Sequence, residues 1–406
     1  MTSRPRDFYK KYAFTIWVLV FVGASMVRPA LFRVWFGTDL KILIVPLIQI
    51  ITFGMGTTLS GKDFKNVLVM PKPVLIGIGL QFTIMPLVGF GIAMTFGFPP
   101  EVAAGIILIG SVSSGVASNV MTYLAGGNVP LSVTITSCTT LLSPVVTPFW
   151  MKTLAGRLVP VDVLAMMLSI FNMIIIPIVA GLVAHKILYG TRPCEERKIK
   201  WLLAGLTVKA LAVGVLSIST SAWGAFIPLK GGLVLGLALI GLTILSKLII
   251  TVVFRGPANW MDKVLPVVSM GAICLIIAVI TAQSRDQLLS VGLLLILAAV
   301  LHNGLGYGLG YWSARLFRLD EGACRAVAME VGMQNGGMAS GIAIDVLKST
   351  SAALAPAIFG PWMNISGSLL AGWWRRRPAK AAEGAVAGAA AGKAAEAQTQ
   401  NSCLEE

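Results

Sequence analysis

Apolar runs long enough to cross a hydrocarbon core recur from one end of the chain to the other, and the charged residues fall mostly between them. A helix needs roughly 20 predominantly apolar residues to span a core about 30 Å thick. Runs of this kind predict helices over 12–32, 40–60, 74–97, 99–125, 129–153, 163–185, 201–223, 231–254, 264–283, 288–314, 322–347 and 352–374. None shows the short period-two alternation that an outer-membrane barrel requires. The pattern predicts an all-α polytopic membrane protein of about twelve spans. The basic "RPRDFYKK" ahead of the first run could open a signal peptide. That run is long and no clear small-residue cleavage site follows it, so a retained helix is expected.

Two runs carry polarity and flexibility where lipid-facing structure would carry leucine. The fourth contains "GSVSSGVASN" (Gly110–Asn119), and the eleventh contains "EVGMQNGGMAS" (Glu330–Ser340). Each Gly inside a helix costs about 1 kcal/mol relative to Ala, so neither stretch favours a continuous helix. Unwound backbone at membrane depth survives only when buried in protein or lining a cavity. Close packing of small residues accounts for Gly336, Gly337 and Ala339. It does not account for Glu330, Gln334 and Asn335, or for Ser118 beside Asn119. A pair of Gly-interrupted segments in the two halves of a chain marks the binding site of a transporter.

Composition agrees with the pattern. Of 406 residues, 56% are hydrophobic and 12% charged, with a mean hydropathy of +0.84; soluble domains average about 45–50% and roughly 25%. The net charge of +15 does not point to nucleic acid, because the basic residues sit between the apolar runs. Counted by side, the N-terminus, even-numbered loops and C-terminal junction hold 21 Lys and Arg, against eight on the odd-numbered loops. Both termini are therefore expected in the cytoplasm, with the chain in a cell (inner or plasma) membrane. The Ala/Gly-rich stretch 379–406 is expected to form a disordered tail. The cysteines, Cys138, Cys194, Cys274, Cys324 and Cys403, show no metal-ligand or redox spacing.

Glu330 is the acidic residue of the second half that lies well inside a run, and an intramembrane carboxylate is a functional-site hypothesis by default. A Lys or Arg, a proton or a bound cation could compensate it. Lys209 and Lys247 lie in a separate pair of helices. A hard cation takes oxygen ligands, and these are at hand. The eleventh run offers Glu330, the Gln334 amide and the carbonyls of Val331 and Met333; the fourth offers Ser118 and Asn119. Ser132 and Thr136, four residues apart, share one helical face, although hydroxyls within helices commonly bond back to a carbonyl one turn earlier.

With these residues in place, the sequence resembles the bile acid:sodium symporter family, in its bacterial-type organic anion branch. The resemblance rests on "ASNVMTYLAGGNVPLSVTITSCTTLLSPVVTP" (Ala117–Pro148), "LHNGLGYGLGY" (Leu301–Tyr311), "EVGMQNGGMA" (Glu330–Ala339) and "WMNISG" (Trp362–Gly367). "FGMGTTLS" (Phe53–Ser60) and "QFTIMPL" (Gln81–Leu87) also fit. It implies two inverted five-helix repeats with two crossing discontinuous helices, and core plus panel domains. The repeats would occupy 1–158 and 159–374, with an inserted helix pair over about 196–258 and a basic junction and tail over 375–406. It further implies two sodium sites. The first would comprise Ser118, Asn119, Ser132, Thr136 and Glu330, and the second Gln81, Glu330, Val331, Met333 and Gln334. An organic anion would meet Val116, Ala117, Asn335, Gly336 and Asn364.

Three departures stand out. The "Cys-Pro-Gly-Gly"-like turn common in the family is Val112–Gly115 ("VSSG"). Met363 replaces the polar residue often found before Asn364. The helix pair over 201–254 is extra to the family's ten helices.

The sequence thus predicts a sodium-coupled symporter that imports a bile acid-like or small carboxylate anion by alternating access, in contact with the lipid bilayer. Alternatives are a proton-coupled or arsenite-type efflux permease, or a membrane sensor that moves nothing. The exporter would want a reactive cysteine in the first broken helix, and Cys138 lies beyond it. No enzyme is indicated, for the chain lacks a paired-carboxylate or His-Glu metal signature. His185 falls at a run end, and His302 reads as a satisfied buried histidine.

Overall fold

The computed structural model describes residues 5–59, 66–189, 198–253 and 260–377. The predicted tail lies outside the described residues. So do Arg4, Lys62, Lys65, Arg192, Arg197, Arg255 and Lys380 among the counted charges. In chain order the helices are α1 (Pro5–Val27), α2 (Ile44–Thr58), α3 (Pro71–Thr95), α4 (Pro100–Ser111), α5 (Ala117–Leu124) and α6 (Val129–Trp150). Then come α7 (Val163–Ile170), α8 (Ile176–Tyr189), α9 (Lys198–Ser217) and α10 (Ile227–Lys247). The last are α11 (Trp260–Gln283), α12 (Arg285–Leu316), α13 (Glu321–Gly332), α14 (Gly336–Asp345) and α15 (Thr350–Arg375). Every apolar run of the sequence is helical over most of its length, and the two polar-interrupted runs are each split in two. Six helical stretches among the described residues are long and apolar enough to cross a membrane, and the other apolar helices are shorter.

The first run is corrected. α1 stops at Val27 rather than near residue 32, because the residue before a proline, here Arg28 before Pro29, is pushed out of the helical region. A short helix (Ala30–Arg33) and a two-stranded hairpin (Val34–Trp35 with Thr38–Asp39) follow. Elsewhere the local code is explicit. Asn128, Asp162, Asp320, Asn335 and Ser349 each accept the N–H three residues on and start a helix. Such caps are worth about 1 kcal/mol apiece.

Two groups of helices share the site. α3–α6 and α12–α15 pack around the two breaks, while α1, α2, α8 and α11 form the wall opposite. Within that wall α2 and α8 touch almost backbone to backbone, since a Cβ on Gly181 would fall 2.3 Å from the Phe53 carbonyl oxygen. A π-helical turn at Phe171–Ile175 joins α7 to α8. Two of its carbonyls, at Asn172 and Met173, accept hydrogen bonds from Gln49 Nε2 (3.1 Å) and Thr52 Oγ1 (2.9 Å) of α2. The surplus pair packs outside this wall: α9 lies on α10, and α10 on α8. Lys247 of α10 donates to the Ile187 carbonyl.

Arg325 corrects the charge count, which places it with the loop cations. It is buried inside α13, with its Nε 2.9 Å from Glu321. Its guanidinium donates to the carbonyls of Ala125 (2.8 Å), Trp374 (3.4 Å) and Arg377 (2.7 Å). It therefore holds the C-terminal ends of α5 and α15, whose last carbonyls have no partner within their own helix. Arg325→Ala should cost about 3 kcal/mol, as several charge-assisted bonds are lost together. Thermal unfolding checks this, and Arg325→Lys should rescue little, because an ammonium cannot reproduce the planar fork.

Candidate functional site at the crossing of two broken helices

The two breaks meet. Ser114 and Gln334 form an isolated antiparallel bridge, with Gly115 N–H donating to the Met333 carbonyl and Asn335 N–H to the Ser113 carbonyl, both at 2.9 Å. Contact this close demands glycine at 115, where a Cβ would lie 2.8 Å from the Gln334 carbonyl oxygen. The carbonyls left free at the end of α13 are taken individually. Val331 accepts from Gln334 Nε2 (2.5 Å), Gly332 from Asn303 Nδ2 (2.7 Å), and Met333 from Gly115. Met363, where a polar residue was expected, turns its sulfur toward the Gln334 N–H at 3.2 Å.

Glu330 is fully buried beside this crossing. Four hydroxyls donate to it: Ser118 (2.5 Å) and Ser132 to Oε1, Ser114 (2.6 Å) and Thr136 (2.7 Å) to Oε2. The Asn119 amide oxygen lies 2.8 Å from the Ser132 hydroxyl oxygen and 3.2 Å from that of Thr136, an alternative acceptor for their hydrogens. Among the described residues no Lys, Arg or His pairs with Glu330. Among the described residues a proton or a bound cation is then left to compensate the buried carboxylate. A hydroxyl that donates to a carboxylate keeps lone pairs for a cation, so the cluster offers hydroxyl, amide and carboxylate oxygens together. Among the described residues no group of three His, Cys, Asp or Glu exists that could hold a metal. The donor chemistry is that of a hard, oxygen-preferring ion.

Gln81, on α3, is buried a short distance away. Its Nε2 donates to the Val112 carbonyl at 3.2 Å and to Gln334 Oε1, while its own Oε1 has no partner among the described residues. Gln81, Gln334 and the Val331 carbonyl thus form one hydrogen-bonded chain. Two members of the expected second set stand apart from it. Both Glu330 oxygens are bonded toward α5 and α6, and the Met333 carbonyl is engaged by Gly115.

A cavity of about 540 Å³ opens on the side of the crossing that faces α2 and α11. Val116, Ala117, Asn335, Gly336 and Asn364 all line it, beside apolar residues such as Ile48, Met55 and Ile276. No charged side chain is among its lining residues. The N–H groups of Val116 and Ala117 have no hydrogen-bond partner among the described residues. Of the other expected anion contacts, the Asn335 N–H bonds the Ser113 carbonyl across the crossing, and the Gly336 N–H bonds back to the Gln334 carbonyl of its own segment. Asn335 Oδ1 caps α14 and Asn364 Nδ2 bonds back to the Gly360 carbonyl at 2.9 Å.

Ser114, Asn303 and Met363 are in the site without having been assigned to it from sequence. The signal for Ser114 was its place inside an unwound segment, where a hydroxyl has no helical carbonyl one turn back to bond. His302, which precedes Asn303 on α12 and was expected to be satisfied, is buried against Phe359 with ring centroids 5.3 Å apart. Neither of its ring nitrogens has a hydrogen-bond partner among the described residues.

Residues 45–235 match the model of the Sodium Bile acid symporter family. The chain is 34% identical over 367 residues to "Uncharacterized sodium-dependent transporter YocS" of Bacillus subtilis (strain 168), covering 90% of this chain and 92% of that protein. It is 26% identical over 371 residues to "Probable sodium/metabolite cotransporter BASS1, chloroplastic" of Arabidopsis thaliana, covering 91% and 75%. With "Probable sodium/metabolite cotransporter BASS2, chloroplastic" of Oryza sativa subsp. japonica the identity is 28% over 364 residues, covering 90% and 70%.

Proposed function

The chain belongs to the Sodium Bile acid symporter family, and on that premise we propose that it imports an organic anion together with sodium by alternating access. The family is one of transporters, and the chain is not an enzyme. The observation that carries the reading is the fully buried Glu330 carboxylate, ringed by hydroxyls from two other segments at the crossing.

Sodium is cargo in this scheme. One ion is held by Ser118, Asn119, Ser132, Thr136 and Glu330. A second is held by Gln81, Gln334 and the carbonyls of Val331 and Met333, with Glu330 shared. The Val331 and Met333 carbonyls serve the ion with their second lone pair while keeping the hydrogen bonds from Gln334 and Gly115. The anion occupies the cavity, its charge facing the free N–H groups at the start of α5, where the helix dipole favours it, and its body against the apolar wall. An ion at Glu330 joins α5, α6 and α13 and so fixes the crossing that forms one face of the cavity. Coupling then follows from linkage, since each ligand favours the state that binds the other.

The same reading assigns the architecture. α1 packs on α11 as α8 packs on α2, α3 on α4 as α12 on α13, and α4 on α15 as α13 on α6. These matched pairs fit inverted repeats over 1–158 and 159–374. α9 and α10 have no counterpart in the first half, which makes them the inserted pair. The twelve segments then all cross a cell membrane, with both termini cytoplasmic. The wall of α1, α2, α8 and α11 is the panel, and the helices around the crossing are the core.

The test is uptake into proteoliposomes of a panel of labelled bile acids and small carboxylates. The driving force would be an inward sodium gradient, the matching potassium gradient, or a pH gradient. Sodium alone should concentrate at least one anion. Uptake driven by the pH gradient without sodium would replace this reading with proton coupling. Sodium binding with no flux of any anion would favour the sensor.

A further inference from the structure

The hydroxyl of Ser114 differs from two of the other three around Glu330, those of Ser118 and Thr136. Ser118 Oγ can instead give its one hydrogen to the Gly115 carbonyl at 2.7 Å, and Thr136 Oγ1 to the Ser132 carbonyl at 3.1 Å. Those are the local bonds that Ser and Thr make in or beside any helix. Ser114 lies between α4 and α5, and its side chain makes no bond to backbone among the described residues. Its Oγ is fully buried, 2.6 Å from Glu330 Oε2 and 3.2 Å from Thr139 Oγ1. Its backbone pairs with Gln334 at the crossing, and the next residue, Gly115, lines the cavity. A solvated turn serine would have no need of such a place. Without it, Glu330 Oε2 would keep a single hydroxyl, while Oε1 has two.

We propose that Ser114 is a direct ligand of the cation held at Glu330, its hydroxyl oxygen completing the set formed with Ser118, Asn119, Ser132 and Thr136. This rests on the sodium reading of the site and extends it to a residue in the unwound link itself. The hydroxyl donates its hydrogen to Oε2 and turns a lone pair to the ion, as the other hydroxyls of the ring do. The ligand therefore sits on the strand that pairs the two half-helices, one residue from the cavity wall.

The test is a sodium titration of detergent-purified protein at constant ionic strength, balanced with potassium, with thermal unfolding as the readout. A ligand bound to the native state raises the melting temperature by mass action. Wild type, Ser114→Ala, Ser114→Cys and Glu330→Ala are compared. The Cys variant keeps the shape of the side chain, fills the site with a slightly larger sulfur and removes the hard oxygen, so it separates ligation from loss of packing and serves if the Ala variant does not fold. Both Ser114 variants should need about tenfold more sodium for the half-maximal shift, the weight of one hydrogen-bonding contact to a charged group. Wild-type midpoints in both, with the response lost in Glu330→Ala, would overturn the role of Ser114 and leave the sodium site standing. A wild-type midpoint in the Cys variant alone would make Ser114 a packing residue. If wild type itself responds no more to sodium than to potassium, the sodium reading fails and Ser114 with it.

Discussion

Glu330→Gln should lower sodium affinity at the crossing by about a hundredfold or more, the consequence of removing one partner of a buried charge pair worth roughly 3–5 kcal/mol. Sodium-driven uptake should fall with it. Gln is close to Glu in shape, and hydroxyl rotors can turn to accept from its amide as readily as they donate to a carboxylate. The fold therefore has no steric reason to fail. In potassium the balance should favour the variant, because a buried charge without a cation bears a desolvation penalty that a neutral amide avoids. Glu330→Gln is expected to melt at or above the wild-type temperature in potassium and to be overtaken as sodium is added. A crossover in melting temperature is what a functional charge produces. A merely structural Glu330, held by its four hydroxyls, would leave the variant less stable in both salts.

The second large effect is expected at Gly115. A methyl group there meets the Gln334 carbonyl oxygen at 2.8 Å, and a backbone atom within a hydrogen-bonded bridge cannot swing away as a side chain can. Gly115→Ala should destabilise the protein by about 1–3 kcal/mol, the usual cost of overpacking. It should also weaken the sodium response, because the bridge sets α13, and so Glu330, against α5 and α6. Gly304→Ala in α12 is the control. Nothing lies within 4 Å of a Cβ at that position, and Ala is the better helix former, so stability should hold or rise. Thermal unfolding in potassium gives the first effect, and the sodium midpoint gives the second.

The helices were legible because apolar length and caps are local signals, and all but the first began and ended close to where the runs do. The two breaks were legible for the opposite reason, since Gly, Ser and carboxamides inside an apolar run conflict with every alternative use. Ser118, Asn119, Ser132, Thr136 and Glu330 converge in the structure. The structure also shows what spacing could not carry. Arg325 looked like a loop cation because its partners at Ala125 and Trp374 are 200 and 49 residues distant. Asn303 gave no signal of its own, because the carbonyl it holds becomes free only when α13 ends 29 residues later. The N–H of Asn335 looked available until the crossing showed that it pairs with Ser113 of the other break. Sequence identifies the residues able to serve an ion and the places where backbone comes free. Which donor meets which acceptor is decided by helices from opposite halves of the chain.

Direct binding of radiolabelled sodium to the purified protein, at equilibrium and without any anion, tests the central claim most directly. Wild type should bind sodium saturably, against an excess of potassium, and Glu330→Gln should lose the tightest component while remaining folded. Equal binding by the two proteins would contradict the account, because the carboxylate at the crossing would then hold no ion.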